Sequence, residues 1–144
     1  MYDEALSLAR GQNPDLLQVL AMLEGALSQG DARAAYALGT WYIHGKEPAL
    51  RKNLKEGVRL LRVAAAAGVP DALYDLAVCY QKGAGVVKNE LRAVILYLEA
   101  GLRGEAGALK EVGRCFYHGY GVARNTKVAR VFLDRAAELG SVDP

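Results

Sequence analysis

The stretch Leu73–Asn89, which reads L-Y-D-L-A-V-C-Y-Q-K-G-A-G-V-V-K-N, decides the fold because the chain contains three versions of it. It recurs at 109–125 and, with two extra residues in its loop, at 35–53. A further glycine closes each version, and 36 residues separate Gly68 from Gly104 and Gly104 from Gly140. Repetition at this period is typical of helical solenoids. The sequence therefore predicts an all-α, right-handed α-solenoid of stacked antiparallel helix pairs.

The chain of 144 residues has the length of one domain. Two helical patterns without the glycine loop, at 3–10 and 15–29, are separated by Gly11 and Pro14. They predict an N-terminal helix pair that covers the apolar face of the first repeat. The expected divisions are the capping helices at 1–30 and three repeats at 31–69, 70–105 and 106–144.

Each repeat is expected to contain a helix A, a glycine-containing loop and a helix B. Small residues recur in helix A where a neighbouring helix approaches closely, namely Gly39, Ala77 and Gly113. Asparagines recur where the N-cap of helix B is expected, namely Asn53, Asn89 and Asn125. Glu56 follows Asn53 by three residues, so a capping box is predicted there.

The run A-L-Y-D-L-A-V-C-Y-Q-K-G-A-G-V-V-K-N-E-L-R-A-V-I-L-Y-L-E-A-G at Ala72–Gly101 resembles the Sel-one-like repeat of the tetratricopeptide superfamily. The resemblance covers nearly all of 31–140. It implies adaptor or regulatory work, often in bacterial secretion, envelope or stress systems. The first repeat departs from the pattern with G-K-E-P-A-L-R-K at Gly45–Lys52, so a longer and different turn is expected there.

Composition excludes several other classes of function. The net charge of +2 is small for a nucleic-acid-binding protein, and no apolar run reaches the roughly 20 residues that a membrane span needs. The acidic start of the chain lacks the pattern of a secretory signal, which predicts a cytoplasmic location. Cys79 and Cys115 lie one repeat apart and are expected to be reduced and buried. Two thiols supply too few ligands for a metal site, and no cofactor is expected.

An enzymatic role is not favoured by the motifs. The G-x-G loops at Gly83–Gly85 and Gly119–Gly121 lack the strand or the Gly-Lys-Ser/Thr sequence of nucleotide-binding loops. His44 and His118, the only histidines, are separated by two repeats, whereas a catalytic histidine needs an acid or nucleophile within reach. No catalytic residue is therefore assigned. A hydrolase remains an alternative because a few disulfide-rich relatives have been linked to β-lactam binding or hydrolysis.

The variable side of helix A predicts a partner-binding groove. Tyrosine and arginine, two residue types enriched at interface hot spots, recur there, although the same aromatic residues also suit packing between repeats. The predicted partner-binding residues are Arg33, Tyr36, Thr40, Ile43 and His44 in the first repeat, Tyr74, Val78, Gln81 and Lys82 in the second, and Lys110, Arg114, Tyr117 and His118 in the third.

The predicted partner is another protein or peptide with acidic character, because Lys82, Lys110 and Arg114 belong to this set. An alternative is an immunity or antitoxin-like protein that occludes a cognate bacterial toxin. Residues 141–144 stand where a fourth unit would begin, and no polar capping helix follows. The sequence therefore also predicts an open C-terminal flank, at which either two copies pair or the repeat array continues in a longer protein. Its apolar residues are Val128, Val131, Phe132, Leu133 and Leu139.

Overall fold

A computed structural model describes residues 1–10 and 15–140 as an all-helical protein. The only bridge of extended backbone in the described residues pairs Lys46 with Leu50. The helices are α1 (Tyr2–Arg10), α2 (Leu16–Ser28), α3 (Ala32–His44), α4 (Leu54–Ala66), α5 (Pro70–Lys82), α6 (Glu90–Leu102), α7 (Ala106–His118) and α8 (Thr126–Gly140). The predicted breaks at Gly11 and Pro14 and the segment 141–144 lie outside the described residues.

The chain divides into two compact units, and the first, Met1–Val69, contains α1 to α4. Successive helices pack in order, α1 on α2, α2 on α3 and α3 on α4. Val19 and Leu23 of α2 share one buried cluster with Leu38 of α3 and Leu60 of α4. The helix pair α1–α2 therefore packs on the helices of the first repeat, and its role as a cap stays a prediction.

The second unit, Pro70–Pro144, contains α5 to α8 in the same sequential packing. Tyr97 of α6 is only 1% exposed and is one of its largest buried side chains. Cys79 and Cys115 are free and buried, as predicted, and burial is the main cause that raises the pKa of both thiols. The second unit therefore has a core that contains two neutral thiols and a tyrosine.

Small residues on helix A do allow helix B to approach closely. A Cβ placed at Gly39 would lie 3.2 Å from Leu61 Cδ2, and one at Gly113 would lie 2.7 Å from Leu133 Cγ. A methyl group at Gly113 would overlap Leu133, and one at Gly39 would press against Leu61. The glycine that interrupts helix A is therefore explained by the bulky residue opposite it on helix B.

The three asparagines cap helix B, as predicted. Asn53, Asn89 and Asn125 accept hydrogen bonds from the backbone N–H groups three residues later, at 3.0 to 3.2 Å. The predicted capping box is wrong, because the Asn53 N–H donates to the carbonyl of Tyr42 at 2.8 Å and Glu56 binds Arg59. Each asparagine thus ties its helix B back to the last turn of the preceding helix A.

The loops between helices A and B differ in the way the sequence indicated. Gly119 ends α7 with φ 81° and ψ 37°, a left-handed conformation that glycine adopts without strain. The longer first loop instead pairs Lys46 with Leu50 by two backbone hydrogen bonds of 2.9 Å and contains a cis bond before Pro48. The first repeat therefore has its own turn geometry.

Candidate functional site

The predicted partner-binding residues fall into two groups, because the chain divides into two units. Arg33, Tyr36, Thr40, Ile43 and His44 belong to α3 of the first unit. The other eight belong to α5 and α7 of the second unit.

Residues of the α3 group make contacts inside the first unit. The Arg33 guanidinium lies 3.0 Å from an Asp31 carboxylate oxygen, 3.5 Å from an Asp3 oxygen and 4.4 Å from the Tyr2 ring centroid. Its hydrogen bond is the main cause that holds the pKa of Asp31 below its usual value. Arg33 thus connects the start of α3 to α1, and much of its charge is already satisfied.

Thr40 and Ile43 are also engaged internally. The Thr40 hydroxyl donates to the Ala37 carbonyl at 2.8 Å, within the same helix. Ile43 packs against α4 so closely that a Cβ placed at Gly57 would lie 2.7 Å from Ile43 Cδ1. His44, in contrast, is exposed at the last turn of α3. The α3 group therefore contributes more to packing than to a free surface.

In α5, two of the four predicted residues contact Tyr97 of α6. The Tyr74 ring packs edge-on against the Tyr97 ring, with centroids 5.2 Å apart. The Tyr97 hydroxyl donates to Gln81 Oε1 at 2.9 Å, which satisfies a buried polar group. Burial is the largest cause that raises the pKa of Tyr74. Val78 is half-buried, and Lys82 is the exposed member of this group.

The four predicted residues of α7, Lys110, Arg114, Tyr117 and His118, are all exposed. Lys110, Arg114 and Tyr117 are spaced by four and three residues, so they share one face of the helix. Arg114 forms an ion pair with Glu111 at 3.1 Å. Within residues 1–10 and 15–140, Lys82 and Lys110 form no ion pair. The α7 group is therefore the part of the predicted set that presents aromatic and cationic groups to solvent.

An exposed aromatic cluster, consisting of Tyr117, His118 and Tyr120, lies at the end of α7, with Arg124 beside it. The His118 ring lies 5.0 Å from the Tyr117 ring, edge-on, and 5.0 Å from the Tyr120 ring, stacked. The Arg124 guanidinium is 5.9 Å from the Tyr117 centroid. Tyr117 and Tyr120 remain 49% and 43% exposed. Their mutual packing holds large apolar surfaces at the protein surface in a fixed arrangement.

Tyr120 and Arg124 were missed by the sequence reasoning, which stopped at the end of helix A. The signal was present in the repeat itself, since Tyr120 occupies the loop position where the second repeat has Ala84. A tyrosine between two loop glycines has no packing role that the other repeats require. Comparison of loop residues as well as helix residues would have identified it.

The described residues contain no group of three His, Cys, Asp or Glu side chains placed to hold a metal ion. In the same residues, no helix combines the length and apolarity that a membrane crossing requires. His44 and His118 belong to different units, and the rings nearest to His118 are those of two tyrosines. What the second unit presents is an aromatic and cationic surface suited to contact with another molecule.

Comparison with protein families identifies one repeat three times in the chain. The model of the Sel1 repeat matches residues 32–69, 70–105 and 106–141. The chain belongs to the Sel1 repeat family. Proteins built from Sel1 repeats generally serve as scaffolds for protein interactions and are not typically enzymes.

Two solved structures confirm the expected all-α solenoid of Sel1-type helix pairs. A Sel1 repeat protein from Oxalobacter formigenes is 30% identical, with a TM-score of 0.78 over 89% of this chain and 92% of that one. A protective antigen of uropathogenic Escherichia coli with the same repeat fold is 28% identical, with a TM-score of 0.91 over 96% of this chain and 30% of the antigen.

A curated relative matches a shorter segment. The chitin synthase regulator SKT5 of Saccharomyces cerevisiae is 38% identical over 64 residues. The match covers 44% of this chain and 9% of the regulator. The likeness therefore concerns the repeats and a small part of the larger protein.

Proposed function

We propose that this Sel1 repeat protein is an interaction module whose second unit binds an acidic segment of a partner protein through the exposed side of α7 and the loop that follows. The observation that carries the proposal is the exposed aromatic cluster of Tyr117, His118 and Tyr120 beside the cations of α7. Exposed aromatic side chains rimmed by charge are typical of protein contact sites.

The acidic character of the partner follows from the exposed cations of α5, of α7 and of the loop after α7. Lys82, Lys110 and Arg124 are exposed, and Arg114 shares its charge with Glu111. Cations at a rim attract carboxylates during encounter, and salt weakens this attraction. The tyrosines supply contact area at low entropic cost, because their rings have few rotatable bonds. Tyr74 and Gln81 contact Tyr97 of α6 and contribute to the packing of α5 on α6.

The test begins with the partner captured from the native host by the purified chain and then purified itself. Lys82→Glu with Arg114→Glu is expected to weaken its affinity by about tenfold or more, equivalent to about 1.4 kcal/mol. The matched control is Arg51→Glu with Lys52→Glu, which makes the same change of charge in an exposed loop of the first unit. Equal affinities of the two variants at physiological salt would contradict the proposal.

Tyr120→Ala provides a second, uncharged test of the same surface. The side chain is 43% exposed and stacks only on the His118 ring among the contacts of the described residues. We expect weaker binding with an unchanged melting temperature. Binding that is insensitive to Tyr120→Ala would exclude the aromatic cluster from the interface.

An immunity-like protein that neutralises a toxin remains the second candidate function. The packed aromatic cluster favours it, because tight complexes concentrate their binding energy in a few rigid aromatic residues. The captured partner would then be an enzyme, and one equivalent of this chain would abolish its activity. Undiminished partner activity in a stoichiometric complex would favour the adaptor role instead.

Two further expectations belong with this proposal. The neutral, buried thiols of Cys79 and Cys115 suit a reducing compartment, which supports the predicted cytoplasmic location. Pairing of two copies through the C-terminal flank is the alternative to a partner protein at that end of the chain, and sedimentation of the purified chain tests it.

A further inference from the structure

A groove runs between α7 and α8 of the third repeat. One part, of about 370 Å³, is lined by small and apolar residues with Lys110 at its edge. The other part, of about 430 Å³, adjoins it at Leu133 and is lined by Tyr117, Ala129 and Arg130 among others. We call these two parts together the terminal groove. Val131, on the opposite side of α8, is 66% exposed and does not line it.

The second repeat has an equivalent groove, and α7 fills it. The contacts of α7 therefore show what such a groove accepts. With the 36-residue offset, Leu133 corresponds to Tyr97 and Ala137 corresponds to Gly101. Helix α7 packs on that earlier groove, and a Cβ placed at Gly101 would lie 2.7 Å from Leu109 Cγ. The loop after α7 also contacts α6, since a Cβ placed at Gly121 would lie 2.5 Å from the carbonyl carbon of Glu90, the first residue of α6. The geometry is that of a helix-binding surface.

We propose that the terminal groove docks an amphipathic helix of a partner protein that carries an acidic residue opposite Lys110. The inference does not rest on the proposed function, although Lys110 and Tyr117 belong to both surfaces. Ala137 and Leu133 lie only in the terminal groove, so the two proposals can fail separately.

Two residue differences between the second and the third repeat define the apolar face of a helix that would fit the terminal groove. In the second repeat, Gly101 has no side chain, and Leu109 of α7 packs in the space that this leaves. In the third repeat, the Cβ of Ala137 takes up that space. The docked helix must therefore carry a residue smaller than leucine at the corresponding position. Leu133 replaces Tyr97, whose ring and hydroxyl contact Tyr74 and Gln81 in the second repeat. The space that this ring would occupy is left for a larger side chain of the docked helix.

The charge of the occupant follows from the same comparison. Lys110 replaces Tyr74, which lies close to α7, since a Cβ placed at Gly107 would be 3.9 Å from Tyr74 Cε2. Burial is the main cause that raises the pKa of Tyr74, and the charges of Glu111 and Glu105 add to it. A carboxylate in the place of Glu111 on a docked helix would therefore face Lys110. The lining residues carry three cations, Lys110, Lys127 and Arg130, against the single carboxylate of Asp134.

This charge also argues against a second copy as the occupant. Two copies that met through the same groove would place the three cations of one opposite the three cations of the other. Like charges brought together across an interface are unfavourable. The observations therefore favour a helix from a different protein, with acidic residues, over a symmetric pair.

The experiment uses the full chain and a labelled synthetic helix as the probe. The probe has the sequence of residues 105–118 with Leu109→Ala, to fit Ala137, and Cys115→Ser. A cross-link between two solvent-facing positions four residues apart holds it helical, because helices shorter than roughly 12–15 residues are marginal in water. Fluorescence anisotropy measures binding to the wild-type chain, to Ala137→Arg and to the matched control Val131→Arg on the opposite side of α8.

We expect saturable binding to the wild type and to Val131→Arg, and a loss of about tenfold or more for Ala137→Arg, because a long charged side chain would fill the groove. Lys110→Glu should weaken the same probe, and a probe with Glu111→Lys should restore binding to this variant. That exchange tests the charge pairing without dependence on the Ala137 variant.

Three results would overturn the proposal. The first is the absence of binding at probe concentrations up to about 1 mM, where a useful docking surface should be occupied. The second is equal binding to Ala137→Arg and Val131→Arg. The third is a dimer of the wild-type chain, seen by sedimentation, that Ala137→Arg dissociates, since a second copy would then be the occupant.

Discussion

Helices α3 and α7 occupy the same place in their repeats but use their variable residues differently. In α3, Arg33 pairs with Asp31 and Asp3, and Ile43 is wedged against Gly57 of α4. In α7, Lys110 makes no ion pair among the described residues and Tyr117 is 49% exposed. The α3 residues have α1 and α4 as neighbours, whereas those of α7 face solvent. A position that varies between repeats is therefore a binding candidate only where no neighbouring element already contacts it.

The difference in packing between α3 and α7 predicts its largest effect at Gly57, which lies against α3. Gly57→Ala is expected to lower the free energy of unfolding by about 2 kcal/mol, because the new Cβ would lie 2.7 Å from Ile43 Cδ1 and 3.0 Å from the Gly39 carbonyl oxygen. Urea unfolding followed by the fluorescence of Trp41, the only tryptophan, reports directly on α3.

Gly107→Ala in α7 is the matched control for that change. The nearest atoms to a Cβ there, Glu105 Oε1 and Tyr74 Cε2, are 3.8 and 3.9 Å away, which is ordinary contact. Alanine is also the better helix former, so this variant should be equally or more stable than the wild type. A similar loss of stability at both positions would show that α3 is no more tightly packed than α7.

The two units should also differ at alkaline pH, because both thiols belong to the second unit. Burial raises the pKa of Cys79 and Cys115 in the folded chain. Above the thiol pKa of the unfolded chain, about 8.5, the unfolded state loses these protons before the folded state does. Stability is therefore expected to be constant up to about pH 8 and to fall as the pH rises further.

Urea titrations at several pH values between about 7.5 and 9.5 measure this decrease, in a range where tyrosines remain largely protonated. A variant with Cys79→Ala and Cys115→Ala should have a lower stability throughout, with a flatter dependence on pH. An unchanged slope in this variant would assign the decrease to other groups.

The smallest expected effect concerns the attachment of α1 to α3. Arg33→Ala should increase hydrogen exchange in α1, because it removes contacts with Asp3 and Tyr2 that connect the two helices. Arg114→Ala removes only an ion pair within α7 and should leave exchange in α1 unchanged. If Arg33→Ala leaves the hydrogen-exchange protection of α1 unchanged, apolar packing alone holds this helix in place.

Much of the fold could be predicted from the sequence, because the residues that define a repeat act locally or against the adjacent helix. Asn89 caps its own helix, and Gly113 faces Leu133 of the partner helix in its own repeat. The prediction of a capping box was wrong because the Asn53 N–H donates to the Tyr42 carbonyl of the preceding helix. That contact depends on the path of the loop, which the local pattern does not contain.

Less of the candidate site could be predicted. Helical periodicity identifies the side of α5 that carries Tyr74 and Gln81, but it does not show that Tyr97 of α6 contacts both. Periodicity also ends with the helix, so Tyr120 in the following loop was overlooked. Its position beside His118 depends on the turn at Gly119, which directs the loop back along α7.

The sequence by itself determined the class of this protein: the period, the glycine turns, the asparagine caps and the buried thiols that together specify three Sel1 repeats. Only the tertiary structure decided which variable residues remain available to a partner. The physical reason is that hydrophobic periodicity records how a helix packs on its immediate neighbour. Whether Arg33 is satisfied and Lys110 exposed depends instead on the elements that the fold places beside them.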